Sequence, residues 1–192
     1  HLRETITETL IRELLSGDLD LILVALPIED PEIATLHLLD DKFVLAAREY
    51  ESLAKQATPP QRQHYALKAV ESLIKAGQAR EAREQLRGID LAKLDSAFQA
   101  RKQILEAQLA VLEGRPDDTL RLLAQAEKTP NLNPALIAEI YRVRALAEVT
   151  LDRPFSAVKS LIAREKVIVA RDEVTRNQQE LWQILATLSR AQ

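Results

Sequence analysis

A beat of 37 to 38 residues constrains this chain more than any other feature of its sequence. Gly77, Gly114 and Asp152 stand 37 and 38 residues apart. Five residues after each comes a small side chain, Ala82, Thr119 or Ala157, and nine residues after each comes a leucine, Leu86, Leu123 or Leu161. Ahead of each turn, at helical spacing, lie Val70, Leu73 and Ile74, then Ala107, Ala110 and Val111, then Ala145 and Val149. The register extends back to Asp41, 36 residues before Gly77, with Ala46 and Tyr50 at the small and large positions. A period of this length marks one supersecondary unit repeated along the chain.

The physical unit is a helical hairpin. Gly, or Asp in its place, supplies the turn, and the small residue one turn into the next helix lets two backbones approach closely. Pro116 and Pro154 fall where a helix has no use for an amide hydrogen, and Asp95-Ser96 and Asn133-Pro134 read as start signals. The pattern predicts helices at 42–57, 60–76, 79–87, 95–113, 116–127, 134–151, 154–164 and 172–190. A hairpin cannot bury its apolar face alone, so neighbours stack into a solenoid. The array resembles tetratricopeptide repeats with aliphatic residues at most aromatic positions. In such arrays the first helix of each hairpin lines the concave face, which gathers His64, Glu71, Lys75, Arg101, Gln108, Glu139 and Arg142 as a candidate partner-binding groove.

Residues 1–45 have another character. Ile6, Leu10, Ile11, Leu14 and Leu15 mark an amphipathic helix that Gly17 ends. Residues 19–26 read as a buried strand, 27–31 as a Pro-bounded loop and 36–45 as a second short strand. The fold class is therefore mainly α, a helical-hairpin solenoid at 46–192 with a small α/β fragment at 1–45. A strand as apolar as 19–26 must pair with 36–45, lie on the first hairpin or self-associate through an open edge.

Composition narrows the chemistry. The 192 residues carry 26 Lys and Arg against 29 Asp and Glu, for a net charge of −3, which leaves no cationic excess for nucleic acid. With no Cys there is no disulfide framework, thiolate metal site or cysteine nucleophile. His1, His37 and His64 are too far apart in sequence for a metal motif, and four scattered Gly make no phosphate loop. We expect no cofactor, no metal and no catalysis. The pairs Asp40-Asp41 and Asp117-Asp118 read as charges at helix starts, and Arg80, Arg83 and Arg87, alternating with Glu81 and Glu84, as a solvated face. Trp182, with Leu181, Ile184 and Leu185 near it, reads as a core or inter-hairpin anchor. No apolar run reaches the roughly 18 residues of a membrane span, and a chain starting at His1 without Met reads as an excised segment.

Two resemblances follow. The runs Tyr50-Glu51-Ser52-Leu53-Ala54, Gln63-His64-Tyr65-Ala66-Leu67-Lys68-Ala69, Leu73-Ile74-Lys75-Ala76-Gly77, Leu112-Glu113-Gly114-Arg115-Pro116 and Arg176-Asn177-Gln178-Gln179-Glu180-Leu181-Trp182 resemble, in that order, the N-terminal domain of the LpoA family. That resemblance implies a non-enzymatic arm of a lipoprotein on the periplasmic face of the outer membrane. Its partner would be a class A penicillin-binding protein, contacted through a C-terminal domain with no counterpart in these residues. The fragments Leu2-Arg3-Glu4, Leu14-Leu15-Ser16-Gly17-Asp18-Leu19-Asp20-Leu21 and Ala25-Leu26-Pro27 are similar to the effector domain of LysR-type regulators, nearest the OxyR-like peroxide sensors. The alternative function this implies is that of a regulator fragment. Neither DNA binding nor peroxide sensing transfers to any residue, and the combination reads as a mosaic.

Overall fold

The computed structural model describes residues 7–20, 22, 32–33, 42–91 and 94–190, with side chains as far as 187. The chain divides into two compact units, His1–Asp40 and Asp41–Gln192. Among the described residues there are nine helices and no strand.

In the first unit α1 (Thr7–Leu15) ends where Gly17 takes a φ of 79°. The Ser16 hydroxyl donates to the Asp18 carboxylate at 2.6 Å there. Leu19, Asp20 and Ile22 are described and lie outside any strand; the rest of the expected strand, the 27–31 loop, His1, His37 and Asp40-Asp41 lie outside the described residues. The expected second strand is corrected in part. Residues 42–45 open a helix, because Phe43, Val44 and Ala47 recur at helical spacing and turn the apolar side of this segment inward.

The second unit runs α2 (Lys42–Gln56), α3 (Gln61–Lys75), α4 (Ala79–Gly88), α5 (Ser96–Leu112), α6 (Pro116–Ala126), α7 (Pro134–Thr150), α8 (Pro154–Glu165) and α9 (Arg171–Arg190). Three turns join hairpin partners, and they are the same turn. Gly77, Gly114 and Asp152 take φ of 73°, 68° and 56°. At each, the following amide reaches back five residues, Gln78 to Leu73, Arg115 to Ala110 and Arg153 to Glu148, at 2.9, 2.8 and 2.8 Å. This Schellman geometry satisfies the carbonyls a helix end leaves open. At the outgoing ends, the Asp95 carboxylate accepts from the amides of Ala97 and Phe98, and the Asn133 side chain accepts from Leu136.

Behind each turn the small residue does what its size permits. Ala82, Thr119 and Ala157 are fully buried, and Leu86, Leu123 and Leu161 nearly so. The Thr119 hydroxyl donates to the carbonyl of Ala107 across the hairpin at 3.2 Å. In α2 the buried small residue is Ala47, one position beyond the expected Ala46, while Tyr50 stacks on Tyr65 of α3 at 6.4 Å between ring centroids. The core follows the beat in three clusters, centred on Leu67, Leu73 and Leu86, on Ile104, Leu123 and Ile140, and on Ala145, Ala157 and Leu161.

Trp182 overturns its expectation, being 68 % exposed. Leu181 and Ile184 carry the side of α9 that packs on Ala157 and Leu161, and a helix with α8 as its packed neighbour buries one narrow stripe. Val149, expected in the core, stands 48 % exposed at the end of α7 for a related reason, since α7 makes no backbone approach to α9.

Candidate functional site

The first helices of the hairpins, α3, α5 and α7, touch one another in a row. Among the described residues the second helices α4 and α6 each pack between two first helices, and α8 between α7 and α9, without close backbone approach to one another. A row set closer than its backing is the inner wall of a bend, so α3, α5 and α7 form the inner face of this unit. All seven side chains of the expected groove fall on these three helices.

They form two groups. At the border of α3 and α5, the Glu71 carboxylate receives Lys75 Nζ at 2.8 Å, Arg101 Nη2 at 3.0 Å and Lys68 Nζ at 3.3 Å. Burial alone would raise the Glu71 pKa. The Lys75 hydrogen bond and the charges of Lys75, Lys68 and Arg101 outweigh it and hold the carboxyl down to about 2. His64 stands beside this group, its pKa lowered by partial burial first and then by Arg101 and Lys68, with Glu71 acting in the opposite direction. The imidazole is therefore neutral at pH 7, and its ring meets Tyr65 edge-on at 5.8 Å. One carboxylate faces three cations here, which leaves two positive charges unmatched.

At the border of α5 and α7, Gln108 donates to Glu139, and Arg142 holds the same carboxylate at 2.6 and 3.0 Å. Burial works against the Arg142 charge. The hydrogen bond and charge of Glu139, with Glu180 and Glu71 farther off, more than offset it and raise its pKa above the usual value. Gln108 lies 37 residues after Glu71, and Glu139 lies 38 after Arg101. The two groups are thus one contact between neighbouring first helices, repeated on the beat of the hairpins.

Sequence reasoning missed Lys68 and Glu180. Lys68 carried a readable signal, since it precedes Glu71 by three and Lys75 by seven and so shares their helix face. Glu180 carried none, because α9 must pack before its charge reaches Arg142. Asp118 accepts from Arg115 at 2.6 Å and Arg121 at 3.0 Å in the first turn of α6, a helix-start role. Arg80 pairs with Glu84 on an exposed face, whereas Arg83 crosses to Glu113 at the end of α5. Between α4 and α6 a recess of about 210 Å³ is floored by Leu86, Leu109 and Leu122, but its Arg83 and Arg115 both pair with Glu113. Among the described residues no group of three or more His, Asp or Glu is placed to hold a metal ion, and no helix is long and apolar enough to cross a membrane. The inner face can hold a ligand by charge and hydrogen bonding.

Residues 42–192 match the family described as LppC putative lipoprotein, and residues 1–69 match the LysR substrate binding domain. The two matches overlap at 42–69, which fold as α2 and the first half of α3. Among solved structures, Haemophilus influenzae LpoA is similar at a TM-score of 0.65 and 20 % identity, over 73 % of this chain and 26 % of that one. The LpoA N-terminal domain of the same organism gives 0.63 at 20 % identity, over 73 % and 62 %. The E. coli LpoA amino terminal domain gives 0.62 at 22 % identity, over 77 % and 68 %. At these identities the likeness establishes the fold, and the chain spans about a quarter of the Haemophilus LpoA chain. A search of curated proteins found no match.

Proposed function

Since the chain belongs to the LppC putative lipoprotein family through residues 42–192, we propose that it is a non-catalytic, protein-binding arm that supports peptidoglycan synthesis beside a class A penicillin-binding protein. The proposed setting is the periplasmic face of the outer membrane. The observation that carries this reading is the continuous inner face of α3, α5 and α7, on which Glu71–Arg101 and Gln108–Glu139 repeat as one contact. Such a face offers held, oriented charges rather than a nucleophile beside a base, which suits holding a partner. His64, Glu71, Lys75, Arg101, Gln108, Glu139 and Arg142 are the proposed contact residues.

The test is retention of a purified class A penicillin-binding protein by the immobilised full chain, alone and joined to the C-terminal domain of an LpoA. Retention by both forms supports a contact through this arm. Retention by the joined form alone confines the chain to spacing, and retention by neither removes the reading.

The match of residues 1–69 to the LysR substrate binding domain supports a second reading, a regulator effector fragment. It requires a sheet, so a far-UV spectrum of the full chain with no sheet contribution would count against it.

A further inference from the structure

The cationic corner of the inner face stands next to an aliphatic ledge. Lys75 and Leu112 occupy one position of successive first helices, two residues before Gly77 and Gly114, and Leu146 occupies the position of Glu71 and Gln108, six residues before its turn. Leu112 is 50 % exposed, Val149 48 % and Leu146, three residues before Val149, 44 %. Lys68 and Lys75 keep 35 % and 49 % of their side chains in solvent while bonded to Glu71. Exposed leucines at the positions that carry Lys75 and Glu71 one or two helices earlier, beside unmatched cations, are uncommon on a surface that has only to be wetted.

We propose that this face binds an extended peptide segment of a protein partner in which acidic residues adjoin aliphatic ones. The carboxylates would lie on Lys68, Lys75 and Arg101, and the aliphatic side chains on Leu112 and Leu146. Charge complementarity selects the acid. Glu71 already faces three cations, so the two unmatched charges are open to a second carboxylate from outside. The ledge selects a peptide over an anionic polymer, since a phosphate chain has nothing to place against leucine. The distances also suit a peptide. First helices in contact lie about 8–10 Å apart, and an extended chain covers that in about three residues. The inference rests on the binding-arm reading and names the chemistry of its partner.

The experiment uses the full chain and a fluorescein-labelled peptide of three glutamates followed by three leucines, read by fluorescence anisotropy. Control peptides replace the glutamates by lysine or the leucines by serine. The glutamate–leucine peptide should bind saturably and weaken with salt. A Lys68→Gln, Lys75→Gln double variant should lose about tenfold in affinity, as expected for charge-assisted hydrogen bonds. Leu146→Ser should lose severalfold with no change in salt slope. Both variants alter side chains that are partly or largely in solvent, and an unchanged far-UV spectrum checks that they fold. Equal binding of the lysine peptide, equal displacement by inorganic polyphosphate, indifference to either variant, or no binding at all overturns the proposal. Should a penicillin-binding protein be retained while the peptide fails to bind, this inference falls and the arm reading stands. Should the peptide bind while no such protein is retained, the reverse holds.

Discussion

The Arg164 guanidinium, in the last turn of α8, donates to the amide oxygen of Asn177 on α9 at 3.0 Å, with 4 % and none of the two residues left in solvent. Asn177 passes the bond on, donating to the carbonyl of Leu161 at 3.0 Å, while Arg164 Nε is buried without an acceptor. A buried cation held by one neutral amide is costly to leave unpartnered, so this pair fixes how α9 seats on α8.

Asn177→Ala should therefore destabilise the array by about 2–4 kcal/mol, the range for stripping the acceptor from a buried charge. Adding Arg164→Met to it should recover part of that loss, because the uncompensated charge goes with the side chain. Urea midpoints followed by helical ellipticity check both. Equal midpoints for the Ala variant and the unaltered chain would remove the pair from the account of α9.

The three left-handed turns respond to substitution by backbone strain alone. A Cβ built on Gly77 or Gly114 meets nothing within 4 Å, so Gly114→Ala should cost about 1 kcal/mol through its φ of 68° and not through a clash. Asp152→Gly, at a φ of 56°, should gain roughly 0.5–1 kcal/mol by relieving the same strain. Thermal midpoints moving in opposite directions would confirm the shared turn.

Close helix approach depends on Ala82. It is fully buried between α4 and its neighbours, so Ala82→Leu forces extra methylenes into a filled space and should cost about 1–3 kcal/mol or more. Ala46→Leu, one turn into α2 but only half-buried, should be tolerated. Chemical denaturation of the two variants separates the cases.

Acid should weaken the inner face through Glu71. Its carboxyl binds a proton less readily folded, with a pKa of about 2, than at the ordinary 4.5, so the unfolded chain takes up the proton first as pH falls. The stabilisation is complete above pH 4.5, erodes below it and is gone near 2. It amounts to about 1–3 kcal/mol once discounted for partial exposure. Glu71→Gln should lower stability at pH 7 and converge with the unaltered chain as pH approaches 2, which a series of thermal midpoints would show.

Trp182, the single tryptophan, is 68 % exposed and should emit at the red, water-exposed limit in the folded state. Iodide should quench it readily, and unfolding should barely shift its emission. A blue-shifted emission that reddens on unfolding would return Trp182 to a core.

Local rules were legible from the residues. Predicted and observed helices agree to within one residue at their ends from residue 42 onward, because capping side chains, prolines and left-handed turn residues act on their own segment of backbone. That the seven groove candidates fall on α3, α5 and α7 was legible as well, since the hairpin beat assigns each to a first helix. What gathered them into two bonded groups was the seating of one hairpin on the next, and that seating also brought in Lys68 and Glu180.

The sequence by itself determined where the rods begin, end and reverse, and which residue of each turn sits deepest. Tertiary structure alone decided how many neighbours each rod has, and hence which stripes are covered. Ala47 rather than Ala46 is buried, Trp182 and Val149 stand in solvent, and Arg164 finds Asn177. The physical reason is that an apolar period specifies a face, but burial requires a second surface, and that surface lies elsewhere along the chain.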